Sequence, residues 1–187
     1  MPSALIVLAE GVEEIEAVTQ IDVLRRAGVD VTVAATVSKT VTCARGVRLL
    51  ADTHLDEITD QIFDLITLPG GMPGAEHLRD SSNLIKMLQA QMSADRWLGA
   101  ICATPAVALL PHGLLTGRQA TCYPAFQSAL AQDPHCQLVD AAVVCDGNLI
   151  TSQGPGTAQV FALTLVEILC GQQVRQQITT DMLTDLR

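Results

Sequence analysis

The chain opens on six consecutive apolar residues, Ala4 to Ala9, closed by Glu10 and Gly11, the unbroken run expected of a strand buried on both faces. Polar positions then return at helical spacing and predict a helix from about Val12 to Ala27, stopped by Gly28. Val31 to Ala35 supplies the next apolar run, so the opening reads as a β-α-β unit with a right-handed crossover and a parallel sheet. The rhythm recurs with a strand at Phe63 to Leu68 ending in Pro69-Gly70-Gly71, a helix from about Ser82 to Ala94, and a strand at Trp97 to Ile101. After Cys102 a helix is predicted to about Leu110, where Pro111 and Gly113 end it. Short strands follow near Gln119 to Cys122, Gln137 to Val139 and Asn148 to Ser152, and the helix Ala158 to Cys170 closes the pattern. Thr36 to Ile62 is less regular, with Val47 to Leu50 a short strand. Strands alternating with helices predict one α/β domain over residues 1–187, a flavodoxin-like doubly wound sandwich whose mostly parallel central sheet is flanked by helices.

With 187 residues, 49% of them hydrophobic, the chain fills one domain and leaves little for a second. Its longest apolar run falls far short of the roughly 20 residues that cross a bilayer, so no membrane association is expected. The start of the sequence lacks a basic segment before its first apolar run, which predicts no secretory signal and a cytoplasmic protein. A net charge of -9 with scattered basic residues gives nucleic acid no docking stripe. The six cysteines include no C-x-x-C pair and have no histidine at metal spacing, so neither a metal nor another cofactor is expected.

In doubly wound sheets ligands gather beyond the carboxyl ends of the strands. That rule selects Glu10 to Glu16, Pro69 to Gly74 and Cys102 to Pro105. Cys102 stands at a strand-to-helix junction among the small residues Gly99, Ala100, Ala103 and Thr104, resembling a nucleophile elbow with cysteine for serine. Such a turn exposes the sulfur above the sheet and aims the next backbone N–H groups, beginning with Ala103, at whatever it holds. A helix N-terminus also favours the thiolate, so a depressed thiol pKa is expected. Gly70 and Gly71 match no phosphate-binding motif, but adjacent glycines at a strand end can bring N–H groups to a neighbouring oxyanion.

On a helical wheel Ala17, Val18, Ile21 and Leu24 form the sheet-facing stripe, with Glu14 near it and Glu16 to one side, so the wheel does not choose between the two acids. Val12, Ile15 and Val23 lie off the stripe and call for a cover, predicted to be a second copy with Ile15 at a two-fold contact. Ser152 to Thr157 reads as a capped helix start, with Thr157 as N-cap. All four histidines lie outside the three selected loops, and no Cys-His dyad is visible.

Glu13-Glu-Ile-Glu16, Leu68-Pro-Gly-Gly71, Ala100-Ile-Cys-Ala103 and Thr151-Ser-Gln-Gly-Pro-Gly-Thr157 together resemble the ThiJ/PfpI superfamily. Within it they resemble the branch of the Parkinsonism-associated protein deglycase and bacterial YajL, over nearly the whole chain. The resemblance implies a homodimer whose reactive cysteine matches Cys102, hydrogen-bonded to a protonated carboxyl matching Glu16. It also implies an oxyanion pocket from the amides of Gly70, Gly71 and Ala103, with Arg45 near the site at the dimer contact. Tyr123 stands where the human-type members carry histidine, which removes an imidazole partner for the sulfur. Three activities remain open at this point. One is a cofactor-independent glyoxalase or deglycase acting on 2-oxoaldehydes or glycated protein side chains. The second is a redox sensor or chaperone acting through sulfinate formation on Cys102. The third is a cysteine peptidase, for which residue 103, an alanine here, fails to supply the required histidine.

Overall fold

The first apolar run folds as expected. In a computed structural model, which describes residues 1–184, strand β1 (Ser3–Leu8) is buried from Ala4 onward and lies between two parallel neighbours. Helix α1 (Glu14–Arg26) follows, then β2 (Asp30–Ala35), which pairs with β1 in register from Ser3 opposite Asp30 to Leu8 opposite Ala35. The irregular stretch holds an antiparallel ribbon of β3 (Thr40–Thr42) and β4 (Arg48–Leu50), then the short edge strand β5 (Thr53–His54).

β6 (Leu65–Leu68), helices α2 (Gly74–Asp80) and α3 (Ser82–Ser93), and β7 (Trp97–Ile101) build the centre of the sheet. β8 (Arg118–Ala120), α4 (Gln127–Gln132) and β9 (Cys136–Leu138) form an outlying lobe. β10 (Val143–Asp146) and β11 (Leu149–Ser152) return to the sheet, and α5 (Ala158–Cys170) and α6 (Gln172–Asp181) complete the described chain. The strand order is β10-β11-β7-β6-β1-β2-β5, parallel throughout except at β10. α1, α5 and α6 pack together on one face, with α2 and α3 against the other, giving the doubly wound sandwich.

Six of the labelled elements went unpredicted: β3, β5, α2, α4, β10 and α6. The segment after Cys102 also departs from expectation. Only Pro105–Leu109 is helical there, in a wide π-type turn, followed by a tight turn at Leu110–His112. The buried face of α1 is the main correction. It consists of Glu14, Glu16, Ala17, Gln20, Val23 and Leu24, whereas Val18, assigned to the sheet side, is 44% exposed. Val12 and Val23 need no second chain, since both are fully buried. Ile15 remains 55% exposed and, with Val18, borders a groove shared with Pro155, Gly156 and Met182. No described helix is long and apolar enough to cross a membrane.

Candidate active site

The parallel register delivers the loops after β1, β6 and β7 to one end of the sheet. Ile101 pairs with Ser152, and the next residue, Cys102, turns sharply out of the sheet at φ +66°. A side chain other than glycine holds that conformation only when its surroundings impose it, at a cost of about 1–3 kcal/mol. Here the restraint is backbone: the Cys102 N–H donates to Ser152 O at 2.9 Å, and its carbonyl accepts from Tyr123 N at 2.7 Å. The Thr104 hydroxyl donates to Pro69 O at 2.6 Å and ties the elbow to the glycine loop after β6.

Glu16 reaches the same place from α1. Glu13 caps that helix, its carboxylate accepting from Glu16 N at 2.8 Å. Glu16 itself is fully buried, its Oε2 accepting from Gly70 N at 2.7 Å while Oε1 has no hydrogen-bond partner among the described residues. Gln20, one turn on, donates to Glu16 O at 3.0 Å and accepts from the Thr67 hydroxyl at 2.6 Å. A polar strut thus runs from the sheet through α1 beneath the carboxyl.

The carboxyl stands beside the Cys102 thiol, and each shapes the other's protonation. Burial raises the pKa of Glu16 from 4.5 to about 7, against the opposing pull of the Gly70 N–H and the thiol. Burial likewise pushes Cys102 up to about 12, the negative charge of Glu16 adding to it, while the N–H groups of Gly71 and Ala103 pull it down. The expected depressed thiol is therefore corrected: desolvation and a neighbouring anion outweigh the amides at the turn. The two groups titrate as a pair. Moving the thiol proton onto Glu16 abolishes the charge that held the thiol up and converts the carboxyl into a donor toward sulfur.

Gly71 and Ala103, both expected to supply oxyanion donors, line the same cavity as Cys102, and their N–H groups act to lower the thiol pKa. Gly70 does not: its N–H is engaged by Glu16. Tyr123 and Arg45 both line the cavity that Cys102 opens into, about 220 Å³, together with Glu13, Met72, Phe126 and Pro155. None of the four histidines does. The placement of Arg45 depends on Glu14, whose carboxylate accepts from Arg45 N at 2.9 Å and holds the loop ahead of β4. That role of Glu14 was not foreseen, because acids in a first helical turn are explained by the helix dipole alone. Thr157 stands at the N-cap position of α5 as expected, but its hydroxyl makes no cap bond, being taken up by Gly154 and Ser152.

Comparison with known proteins places these features in a wider set. The DJ-1/PfpI family profile matches residues 2–168. Protein DJ-1 homolog B of Arabidopsis thaliana is 46% identical over 94% of this chain, which spans only 40% of that longer protein. The glutathione-independent glyoxalase DJR-1.2 of Caenorhabditis elegans is 40% identical, with 91% of this chain matched to 90% of that one. Among solved structures, oxidized DJ-1 of Toxoplasma gondii superposes with a TM-score of 0.94 at 39% identity, covering 98% of each chain.

Proposed function

This chain belongs to the DJ-1/PfpI family, and we propose that it is a cytoplasmic, cofactor-independent glyoxalase or deglycase acting through Cys102 on 2-oxoaldehydes such as methylglyoxal, or on their early adducts with protein side chains. The observation that carries this reading is the pairing of a cavity-facing cysteine at φ +66° with a buried carboxyl whose pKa is about 7. A general base works best when its pKa lies near the working pH, and burial has brought Glu16 there. A relative that bears the name of a glutathione-independent glyoxalase supports the same kind of chemistry.

The steps follow from the two groups. Glu16 carboxylate takes the thiol proton as sulfur bonds to the aldehyde carbon, and the carbonyl π electrons move to oxygen. We assign the stabilisation of that developing charge to the Gly71 and Ala103 N–H groups, whose pull on the thiol pKa supports the role. Glu16 returns its proton to this oxygen, giving a hemithioacetal. It then removes that carbon's hydrogen as a proton, leaving an enediolate with the charge on the second oxygen, and delivers the proton to the adjacent carbon. The hydroxyl proton passes to the second oxygen, leaving a thioester of lactate. Water adds to the thioester and breaks the carbon–sulfur bond, releasing lactate and regenerating the thiol. One water is consumed, and there is no net oxidation. Methylglyoxal supplied without glutathione is expected to yield lactate, and Cys102→Ser to lower the rate by at least about a thousandfold. Equal turnover by the two proteins overturns the reading.

We further assign the exposed pair Ile15 and Val18 to a homodimer contact, because two adjacent apolar side chains on one helix face lose water against a second copy.

Oxidation of Cys102 to sulfinate is a second reading, favoured by the same surroundings. Sulfinate oxygens can accept from Gly71 and Ala103 N–H and from protonated Glu16, and a structural relative is described as oxidized. Under limiting peroxide, mass spectrometry is expected to find two added oxygens on Cys102 before any other cysteine is modified. Earlier oxidation of exposed Cys145 would exclude it.

A further inference from the structure

The cavity is larger than its simplest substrate needs. A void of about 150 Å³ accommodates benzene, and this one, about 220 Å³, has to hold only three carbons and two oxygens when methylglyoxal enters. The reacting end is fixed by Cys102 with the Gly71 and Ala103 N–H groups, so the substituent on the second carbon must point toward the remaining walls. Those walls differ. Arg45 and Glu13 contribute polar lining, and Tyr123, Phe126, Met72 and Pro155 apolar lining.

Tyr123 is the best-anchored part of the apolar lining. Its N–H donates to the carbonyl of Cys102 itself, which couples the ring's position to the nucleophile. One edge of the ring lies over Gly154, where a Cβ would come within 3.1 Å of Cδ2. Phe126 supports the ring with centroids 6.5 Å apart, tilted by 53°, and its N–H donates to Tyr123 O at 2.9 Å. Yet the residue is 42% exposed and borders the cavity, so an aromatic surface is left uncovered beside the sulfur.

We infer that Tyr123, supported by Phe126, is a specificity-determining wall that selects 2-oxoaldehydes carrying a flat apolar substituent, the phenylglyoxal class, over glyoxal, which has none. This rests on the glyoxalase reading for its turnover but not for its binding. A ring placed against Tyr123 gains aromatic contact and apolar burial that a hydrogen atom cannot, and these together correspond to about tenfold or more in discrimination.

The test has a kinetic arm and a binding arm. kcat/KM is measured for glyoxal, methylglyoxal and phenylglyoxal with the unmodified protein, Tyr123→Ala and Tyr123→Phe. Calorimetry measures mandelate and lactate, the corresponding product acids, on Cys102→Ser with and without the Tyr123 changes, where no chemistry intervenes. The expected result is a phenylglyoxal-to-glyoxal ratio of about ten or more, carried chiefly by KM, kept by Tyr123→Phe and reduced to within about threefold of unity by Tyr123→Ala. Mandelate should exceed lactate in affinity with the same dependence on residue 123. A flat ratio, or one that Tyr123→Ala leaves intact, overturns the wall while turnover itself persists. Absence of turnover on all three aldehydes with mandelate still favoured overturns the glyoxalase reading and leaves the wall standing.

Discussion

Gly70→Ala is expected to lower stability by about 1–3 kcal/mol and to reduce turnover by about a hundredfold or more. A Cβ at this position would lie 2.5 Å from Cys102 Cβ, 2.8 Å from Ile101 O and 3.0 Å from Glu16 Oε2. None of these can swing away. Ile101 and Cys102 belong to a backbone held by the β7–β11 pairing, and the fully buried Glu16 has its Oε2 held by Gly70 N–H. The strain must instead widen the gap between the loop after β6 and the elbow, lengthening the Gly70–Glu16 hydrogen bond and shifting the carboxyl from the sulfur. Gly156→Ala is the control, because a Cβ there meets nothing within 4 Å. Urea unfolding and lactate production on the two variants check the prediction, and indistinguishable behaviour would refute it.

Glu16→Gln should change how stability depends on pH. The folded protein holds Glu16 at about 7, whereas the unfolded chain returns it to 4.5. Below 4.5 both states carry the proton and the folded state has its full advantage. Between 4.5 and 7 the unfolded chain ionises while the folded one keeps its proton, so unfolding releases a proton and stability falls as pH rises. Above 7 both are ionised and the loss is complete, about 3 kcal/mol at roughly 1.4 kcal/mol per unit. Glutamine carries no such proton. Its amide can still accept from Gly70 N–H and can donate to the sulfur, so the variant keeps the geometry of protonated Glu16. Relative to the unmodified protein it should gain about 3 kcal/mol between pH 4 and pH 8. Denaturant titrations across that range measure the difference directly, and parallel curves would contradict the assigned burial. The Cys102 thiol should titrate lower in Glu16→Gln, since the anion that raised it is gone. Turnover should fall, because the base is lost.

Much of this molecule is legible along the chain because β1, β7 and α5 are each defined by their own residues. Ala4 to Leu8 carry no polar group to break the run, Trp97 to Ile101 form an observed strand with the predicted bounds, and Ala158 to Cys170 form an observed helix with the predicted bounds. Cys102 is found by the same logic, since small residues on both sides of a strand end permit a sharp turn. α1 shows where that logic stops. Its buried face includes Glu14, Glu16 and Gln20, and a wheel scored on apolar side chains rotates away from those polar members toward Val18 and Ile21. A stripe at positions 16, 20, 23 and 24, with helical spacing and a glutamine one turn after an acid, was the available signal.

The order of apolar runs and turn residues by itself determined the parallel sandwich, the loops that converge at one end, and the cysteine placed at their meeting point. These are local consequences of burial and backbone conformation. The helical wheel left the choice between Glu14 and Glu16 open, and the motif resemblance pointed to Glu16. Only the tertiary structure decided that Gly70 serves that acid while Gly71 and Ala103 act on the cysteine, and that the thiol is raised rather than lowered. Those outcomes depend on how completely water is excluded from groups brought together from α1, β6 and β7, and desolvation is a property of the assembled environment that no single segment carries.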